Sequence, residues 1–213
     1  MISHEDLHDL MRTRRSVRRF RPDLPERAVI ESILASAVTA PSASNKQPWR
    51  FLVVENRDVI GRMAAAVREA VDRIAVAVEP QFEAAFRSYG DYFTRFELAP
   101  LVIVALSQPL TLLTTLTGPR LADDDRRRVV VMERDSGLIG TSMAMQNLLL
   151  AAHAAGLGAS GMTGPLVAAD AIREILHIPP AWHIAALVPI GYPCEEPTPT
   201  ERKSVDHVTR WVR

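Results

Sequence analysis

The arginines near the start of the chain are the first residues whose types and spacing could do chemistry. Six of the 25 basic residues lie close together in the sequence: Arg12, Arg14, Arg15, Arg18, Arg19 and Arg21. The run Arg14-Arg15-Ser16 offers two guanidinium groups, a hydroxyl and backbone N–H groups in one stretch. This set suits a phosphate monoester, which accepts bidentate, charge-assisted hydrogen bonds. The alternative is a solvated basic helix end, or salt bridges to acidic neighbours, and composition alone slightly favours that alternative.

A second candidate is the segment 40–51, which reads Ala-Pro-Ser-Ala-Ser-Asn-Lys-Gln-Pro-Trp-Arg-Phe. Pro41 and Pro48 bracket small and amide residues. Such a loop is stiff, and it can present hydroxyls, amides and backbone groups to a planar heteroaromatic ring. The alternative is an ordinary connector between a helix and a strand, built from turn-forming residues. The segment taken alone favours the connector.

The order of the motifs along the chain favours ligand binding over the solvated helix end and the ordinary connector. Arg-Arg-Ser-Val-Arg-x-Phe at 14–20 precedes Ala-Pro-Ser-x-x-Asn-x-Gln-Pro-Trp-Arg-Phe at 40–51. Gln-Asn-Leu-Leu-Leu-Ala-Ala at 146–152 leads into Gly-Leu-Gly at 156–158, and Val-Pro-Ile-Gly-Tyr-Pro at 188–193 precedes Glu-Arg-Lys at 201–203. This ordered set, which spans nearly the whole chain, resembles the nitroreductase family of FMN enzymes.

The resemblance implies an α+β, nitroreductase-like fold in which helices flank a central mixed or antiparallel sheet. It also implies a homodimer that binds FMN at the interface between two copies of the chain. The positions that match the family's flavin contacts fall into five groups: Arg14, Arg15 and Ser16 for the phosphate and ribityl chain; Arg18 for the pyrimidine edge of the ring; Pro41, Ser42 and Asn45, which reach the flavin from the opposite subunit; Met162, Thr163 and Gly164, whose backbone faces the ring; and Arg202, which returns to the phosphate.

The activity implied by the resemblance is a ping-pong, two-electron oxidoreductase reaction. NADH or NADPH would reduce the flavin and leave, and a nitroaromatic or quinone-like acceptor would then take the electrons. No side chain is expected to act as a nucleophile, and no metal is expected. Four alternatives stay open: a dehalogenase of the same fold, an oxygen-dependent flavin enzyme of the same fold, a flavin-binding storage or sensor protein without turnover, and a nucleic-acid role for the arginines.

Hydrophobic periodicity, caps and prolines indicate the elements that position these residues. Helices are predicted at about 3–11, from Pro25 to Pro41, and at about 56–78, 81–97, 133–155 and 167–177; strands are predicted at 49–54, 101–106 and 184–190. Residues 108–130 are predicted to be a long mobile excursion that could serve as an active-site lid. Residues 192–213 are predicted to be an extended tail. Tyr89, Tyr92, Phe93 and Phe96 could contact an aromatic substrate, although helix packing is favoured for them.

Length and composition set the broader limits. The 213 residues suit one domain over 1–213, and the formal net charge of zero disfavours a nucleic-acid partner. The acidic, polar N-terminus does not resemble a signal peptide, and the apolar runs are too short for a membrane span. The sequence therefore predicts a cytoplasmic protein that acts on a small molecule.

Overall fold

A four-stranded sheet in the order β1-β2-β4-β3 lies at the centre of the protein. The structure is a computed structural model and describes residues 2–194 and 197–212. The strands are β1 (Trp49–Val54), β2 (Leu101–Ser107), β3 (Gly158–Ala159) and β4 (His183–Gly191). Each of the three named strand pairs is antiparallel, with Phe51 opposite Ala105 and Ile103 opposite Val188. The antiparallel option of the predicted α+β sheet is therefore confirmed.

Helices cover both faces of this sheet. They are α1 (His4–Thr13), α2 (Arg27–Ala37), α3 (Arg57–Ala75), α4 (Pro80–Gly90), α5 (Leu112–Thr117), α6 (Asp123–Ala154), α7 (Ala169–Ile175) and α8 (Val205–Val208). Short 3-10 segments occur at Ala43–Asn45, Asp91–Leu98, Gly118–Arg120 and Gly164–Ala168. None of the helices in residues 2–194 and 197–212 has the length and apolar character needed to cross a membrane.

Strand β2 shows how the two faces are filled. All of its residues are buried, as its continuous apolar run predicts. Val102, Val104 and Leu106 pack into a core with α3 and α7. Leu101 and Ile103, which point to the opposite face, pack into a second core with α2 and α6. The sheet is thus a rigid middle layer between two helical layers.

Helix α1, which is capped at its N-terminus, leads into the arginine cluster, whose first member, Arg12, lies in its last turn. The Ser3 hydroxyl accepts a hydrogen bond from the Asp6 N–H at 3.0 Å, and the Asp6 carboxylate accepts one from the Ser3 N–H at 3.2 Å. These two reciprocal bonds form a capping box. The hydrogen bonds from Ser3 lower the pKa of Asp6.

The predicted elements differ from the structure most at α6, at the helix 81–97 and in the tail. Helix α6 begins at Asp123 rather than near 133, so the charge run 123–128 forms its first turns and α5 occupies part of the predicted excursion. The acidic residues of that first turn complement the helix dipole. The predicted helix 81–97 ends at Gly90 and continues as the 3-10 segment Asp91–Leu98. The tail, predicted to be extended, contains the short helix α8.

Candidate functional site

A cleft of about 390 Å³ collects most of the predicted phosphate-binding residues. Its walls come from the segment after α1, from the 3-10 segment Asp91–Leu98 and from the C-terminal tail. The lining residues are Arg14, Arg15, Ser16, Arg18, Tyr92, Arg95, Pro197, Thr198, Thr200 and Arg202. We call this the cationic cleft. The structure brings Arg202 to the N-terminal arginines, although the sequence separates them by almost the whole chain.

The segment that carries the arginines is fixed against the edge of the sheet. Ser16 forms a parallel bridge with Ala159, and the Val17 N–H donates to the Ala159 carbonyl at 3.2 Å. Val17 is buried, and a Cβ on Gly158 would lie 2.6 Å from the Val17 Cβ. Because Val17 faces inward, its neighbours on either side face the opposite way, as in a strand. This alternation leaves Ser16 and Arg18 at the surface of the cleft.

The electrostatics of the cationic cleft fit an anion with several acceptor oxygens. Partial burial lowers the pKa of Arg14, and the nearby charges of Arg202 and Arg15 lower it further. None of the ion pairs in residues 2–194 and 197–212 involves Arg14, Arg15, Arg18 or Arg202. Among the described residues, no carboxylate therefore neutralises their positive charges. A phosphate would relieve this repulsion and could accept forked hydrogen bonds from the guanidinium groups.

Hydrogen bonds to residues nearby in the sequence orient two of these guanidinium groups. Arg15 donates through Nη1 to the Arg12 carbonyl at 2.5 Å and to the Arg14 carbonyl at 2.9 Å. Arg202 donates through Nη1 to the Thr200 hydroxyl at 2.5 Å. Only one nitrogen of each guanidinium is used in these bonds, so the remaining N–H groups are available to a ligand.

The turn 162–164 is held close to the same 3-10 segment that lines the cationic cleft. Met162 is buried, and its backbone exchanges two hydrogen bonds with Leu187 of β4, at 2.8 and 3.0 Å. Thr163 is exposed. A Cβ on Gly164 would lie 2.3 Å from the Phe93 Cδ1, so a larger residue here would force the Phe93 ring to move. Thr163 is therefore anchored on both sides.

The loop that carries Pro41, Ser42 and Asn45 lies elsewhere in the protomer, against α6. Pro41 and Ser42 line a separate apolar groove with Ile139 and Met143, and none of the three loop residues lines the cationic cleft. The Ser42 hydroxyl accepts a hydrogen bond from the Gln47 N–H at 2.9 Å, which holds the loop closed. The structure of one chain thus brings together Arg14, Arg15, Ser16, Arg18 and Arg202, but it does not add Pro41, Ser42 and Asn45 to them.

The sequence did not identify two kinds of residue in the cationic cleft. Arg95 was not considered, yet its guanidinium carbon lies 4.1 Å from the ring centroid of Tyr92, and both residues line the cleft. The spacing of three residues between them on a helical segment is the signal that pairs them. The sequence favours helix packing for all four aromatic residues of this region. That prediction is correct for Phe96, which is fully buried, but not for Tyr92, which is 45% exposed. Thr198 and Thr200 of the tail carried no sequence signal.

Relatives and solved structures agree with this architecture. The NADH dehydrogenase of Thermus thermophilus is 32% identical over 213 residues, which cover 93% of this chain and 92% of that protein. A BluB-like flavoprotein from Clostridium difficile 630 superposes with a TM-score of 0.84 at 22% identity and covers 97% of this chain and 99% of its own. An oxidized iodotyrosine deiodinase bound to FMN and 3-iodo-L-tyrosine superposes with a TM-score of 0.73, also at 22% identity and with the same coverage of 97% and 99%.

The family match covers the sheet, the arginine segment and the loop before β1. The model of the Nitroreductase family matches residues 11–192. Arg202 and the other tail residues of the cationic cleft lie beyond this range, so their place in the cleft rests on the structure. The chain belongs to the Nitroreductase family.

Proposed function

We propose that this protein is an FMN-dependent oxidoreductase that uses NADH or NADPH to reduce nitroaromatic or quinone-like acceptors by a ping-pong reaction. The observation that carries the proposal is the cationic cleft, in which Arg14, Arg15 and Arg202 converge with no carboxylate partner in the described part of the chain. The similar deiodinase structure, which has FMN bound, supports the choice of that phosphate-bearing cofactor. When bound, FMN supplies the ring that accepts two electrons and passes them on.

In this proposal each group of residues has a separate task. Arg14, Arg15, Ser16 and Arg202 bind the phosphate and ribityl chain. Arg18 places a positive charge near the pyrimidine edge of the ring, where it favours added negative charge. The turn Met162, Thr163 and Gly164 presents backbone groups to the ring, and its anchoring to β4 and to Phe93 keeps that surface rigid.

The remaining contacts would come from a second copy of the chain, as a C₂ dimer. Several large apolar side chains of helix α6 are about half exposed, among them Leu138, Ile139 and Met143 at 45%, 55% and 44%. Ile139 and Met143 border the groove beside Pro41 and Ser42. Association through this surface would bury apolar area and would deliver Pro41, Ser42 and Asn45 to the partner's flavin.

The first experiment is the absorbance spectrum of the purified protein with FMN, followed by anaerobic titration with NADH and NADPH and by turnover with a quinone. A protein that takes up no FMN contradicts the proposal. Bound FMN that neither nicotinamide reduces would instead support a storage or sensor protein.

A variant pair tests the role of the cationic cleft. Arg14→Met removes a charge-assisted interaction, for which about 1.5–3 kcal/mol is typical, so the Kd for FMN should rise roughly 10- to 150-fold. Arg21→Met removes a charge from the same arginine cluster but outside the cleft, and it should leave the Kd for FMN nearly unchanged. Equal effects of the two substitutions would show that only the overall positive charge matters.

Reductive dehalogenation is the second candidate, because the deiodinase structure shares the fold over 97% of this chain. Release of iodide from 3-iodotyrosine by the reduced protein, without reduction of quinones or nitroaromatics, would favour it over the first candidate.

A further inference from the structure

A second cavity, of about 380 Å³, lies beside the loop that follows Asn45. One wall is formed by Lys46 and Pro48, and the other by the residues between β2 and the end of α5. Its lining residues include Lys46, Gln108, Thr111, Leu112, Thr115 and Leu116. We call this the lysine cavity. Its lining is distinct from that of the cationic cleft.

The walls of the lysine cavity are held in place by contacts that do not depend on a ligand. The Gln108 N–H donates to the Pro48 carbonyl at 2.8 Å and joins the two walls. The buried carboxylate of Glu133 on α6 accepts hydrogen bonds from the Leu113 N–H at 2.6 Å and from the Thr114 hydroxyl at 2.7 Å. These bonds fix α5 against α6, so the cavity is preformed.

The charge of the lysine cavity is set by one residue. Among the described residues that line it, Lys46 is the only one with a charged side chain. Within residues 2–194 and 197–212, its ammonium group has neither an ion pair nor a hydrogen bond. Glu133, which does not line the cavity, supports α5 from behind, with its carboxylate oxygens occupied by Leu113 and Thr114. A cavity with one unpaired cation is therefore suited to a ligand with one negative charge.

The other lining residues define the rest of that ligand. Leu112 and Leu116 offer apolar surface, whereas Gln108 and Thr111 offer polar groups beside Lys46. This combination matches a small molecule with an apolar, ring-sized body and a carboxylate at one end. The loop that ends at Lys46 also begins at Pro41, which is proposed above to reach the flavin of the partner.

We propose that the lysine cavity binds the anionic end of the electron acceptor, and that Lys46 determines specificity for acceptors that carry a carboxylate. This inference rests on the proposed function, which supplies the flavin and the acceptor reaction. Lys46 contributes binding and orientation only, and no proton or electron passes through it.

The test compares two nitroaromatic acceptors of similar size, 4-nitrobenzoate and the neutral 4-nitrobenzyl alcohol. In Lys46→Met, the KM for 4-nitrobenzoate relative to that for the alcohol should rise about tenfold, which corresponds to about 1.4 kcal/mol. Lys46→Arg keeps the charge and should restore most of the preference. Arg62→Met, which removes an exposed charge on α3, should leave the preference as in the wild type.

A binding measurement separates the lysine cavity from turnover. Calorimetric titration of the oxidised, FMN-loaded protein with benzoate should give a Kd that rises about tenfold in Lys46→Met and returns in Lys46→Arg. Equal benzoate affinity in wild type and Lys46→Met overturns the inference. A rise in the KM for NADH or NADPH with an unchanged acceptor preference also overturns it, because the lysine cavity would then belong to the electron donor.

Failure of the proposed function has a different signature. A protein that binds no FMN, or that reduces neither nitroaromatic, contradicts the proposed oxidoreductase. The benzoate titration of the protein as purified would still show whether Lys46 binds a carboxylate.

Discussion

Gly137 on α6 packs directly against the backbone of Gln108, and replacing it with alanine should destabilise the protein. An ideal Cβ at this position would lie 2.2 Å from the Gln108 carbonyl oxygen and 3.1 Å from its carbon. Both are backbone atoms that cannot rotate away. The contact is more than about 1 Å short of ordinary van der Waals distance, so α6 or the end of β2 must move. Because Gln108 also joins the walls of the lysine cavity, the same movement would disturb that site.

The magnitude follows from comparison with a second helical glycine. A Cβ at Gly61 on α3 would meet no atom within 4 Å. Gly61→Ala should therefore stabilise the protein by about 0.5–1 kcal/mol, since alanine has the better helix propensity. Gly137→Ala gains the same amount from helix propensity but loses about 3 kcal/mol to overpacking, which is the upper end of the usual cost of adding a small group to a packed site. The net loss is about 2 kcal/mol.

The assay is thermal unfolding by circular dichroism at one protein and one FMN concentration, since ligand and association shift Tm. For a chain of this size, 1 kcal/mol corresponds to a change in Tm of about 2–4 °C. Gly61→Ala should raise Tm by about 1–4 °C, and Gly137→Ala should lower it by about 4–8 °C. If both variants are stabilised equally, the close packing of Gln108 on α6 is refuted.

Two further predictions follow from buried and partly buried polar groups. Glu133→Ala should lower the free energy of unfolding by about 1–3 kcal/mol and speed amide exchange in α5. Glu83→Ala, which breaks an exposed pair with Arg87, should lower it by under about 1 kcal/mol. Similar amide exchange in the two variants would contradict the role of Glu133. Burial lowers the pKa of His153 below 6.5, and the charges of Arg14 and Arg15 lower it further. The unfolded chain therefore binds the proton first, so stability should fall as pH drops below about 6.5, and His153→Gln should flatten this slope in unfolding experiments.

Local signals predicted most of the elements. Strand β1 has the predicted bounds, and Asn56 caps α3 where the predicted helix begins. The start of α6 was missed because three aspartates followed by three arginines are also typical of a solvated loop. In the structure Arg127 and Arg128 pair with aspartates three residues earlier, which stabilises the helix. Helix α5 depends on Glu133, twenty residues away, so no local pattern could have found it.

The candidate site, too, could be predicted only in part from the sequence. The arginine segment was identified because its motifs lie in order along the chain, and the structure explains their meeting through the bridge between Ser16 and Ala159. The lysine cavity has no counterpart in the sequence motifs. Its walls meet because the Gln108 N–H donates to the Pro48 carbonyl at the ends of β2 and β1. This contact can be recognised only once the two strands are paired.

The separation of the cationic cleft from the Ser42 loop has a thermodynamic consequence for the proposed dimer. A flavin bound by arginines of one chain and by Ser42 of another favours the associated state, and association in turn raises the affinity for flavin. The affinity for FMN should therefore weaken as the protein is diluted through its dimerisation range. A charge placed on the apolar surface of α6, as in Ile139→Glu, should shift that range upward without touching the phosphate site, because Ile139 does not line the cationic cleft. Sedimentation combined with flavin fluorescence measures both quantities, and an affinity for FMN that is independent of protein concentration would mean that one chain suffices to bind it.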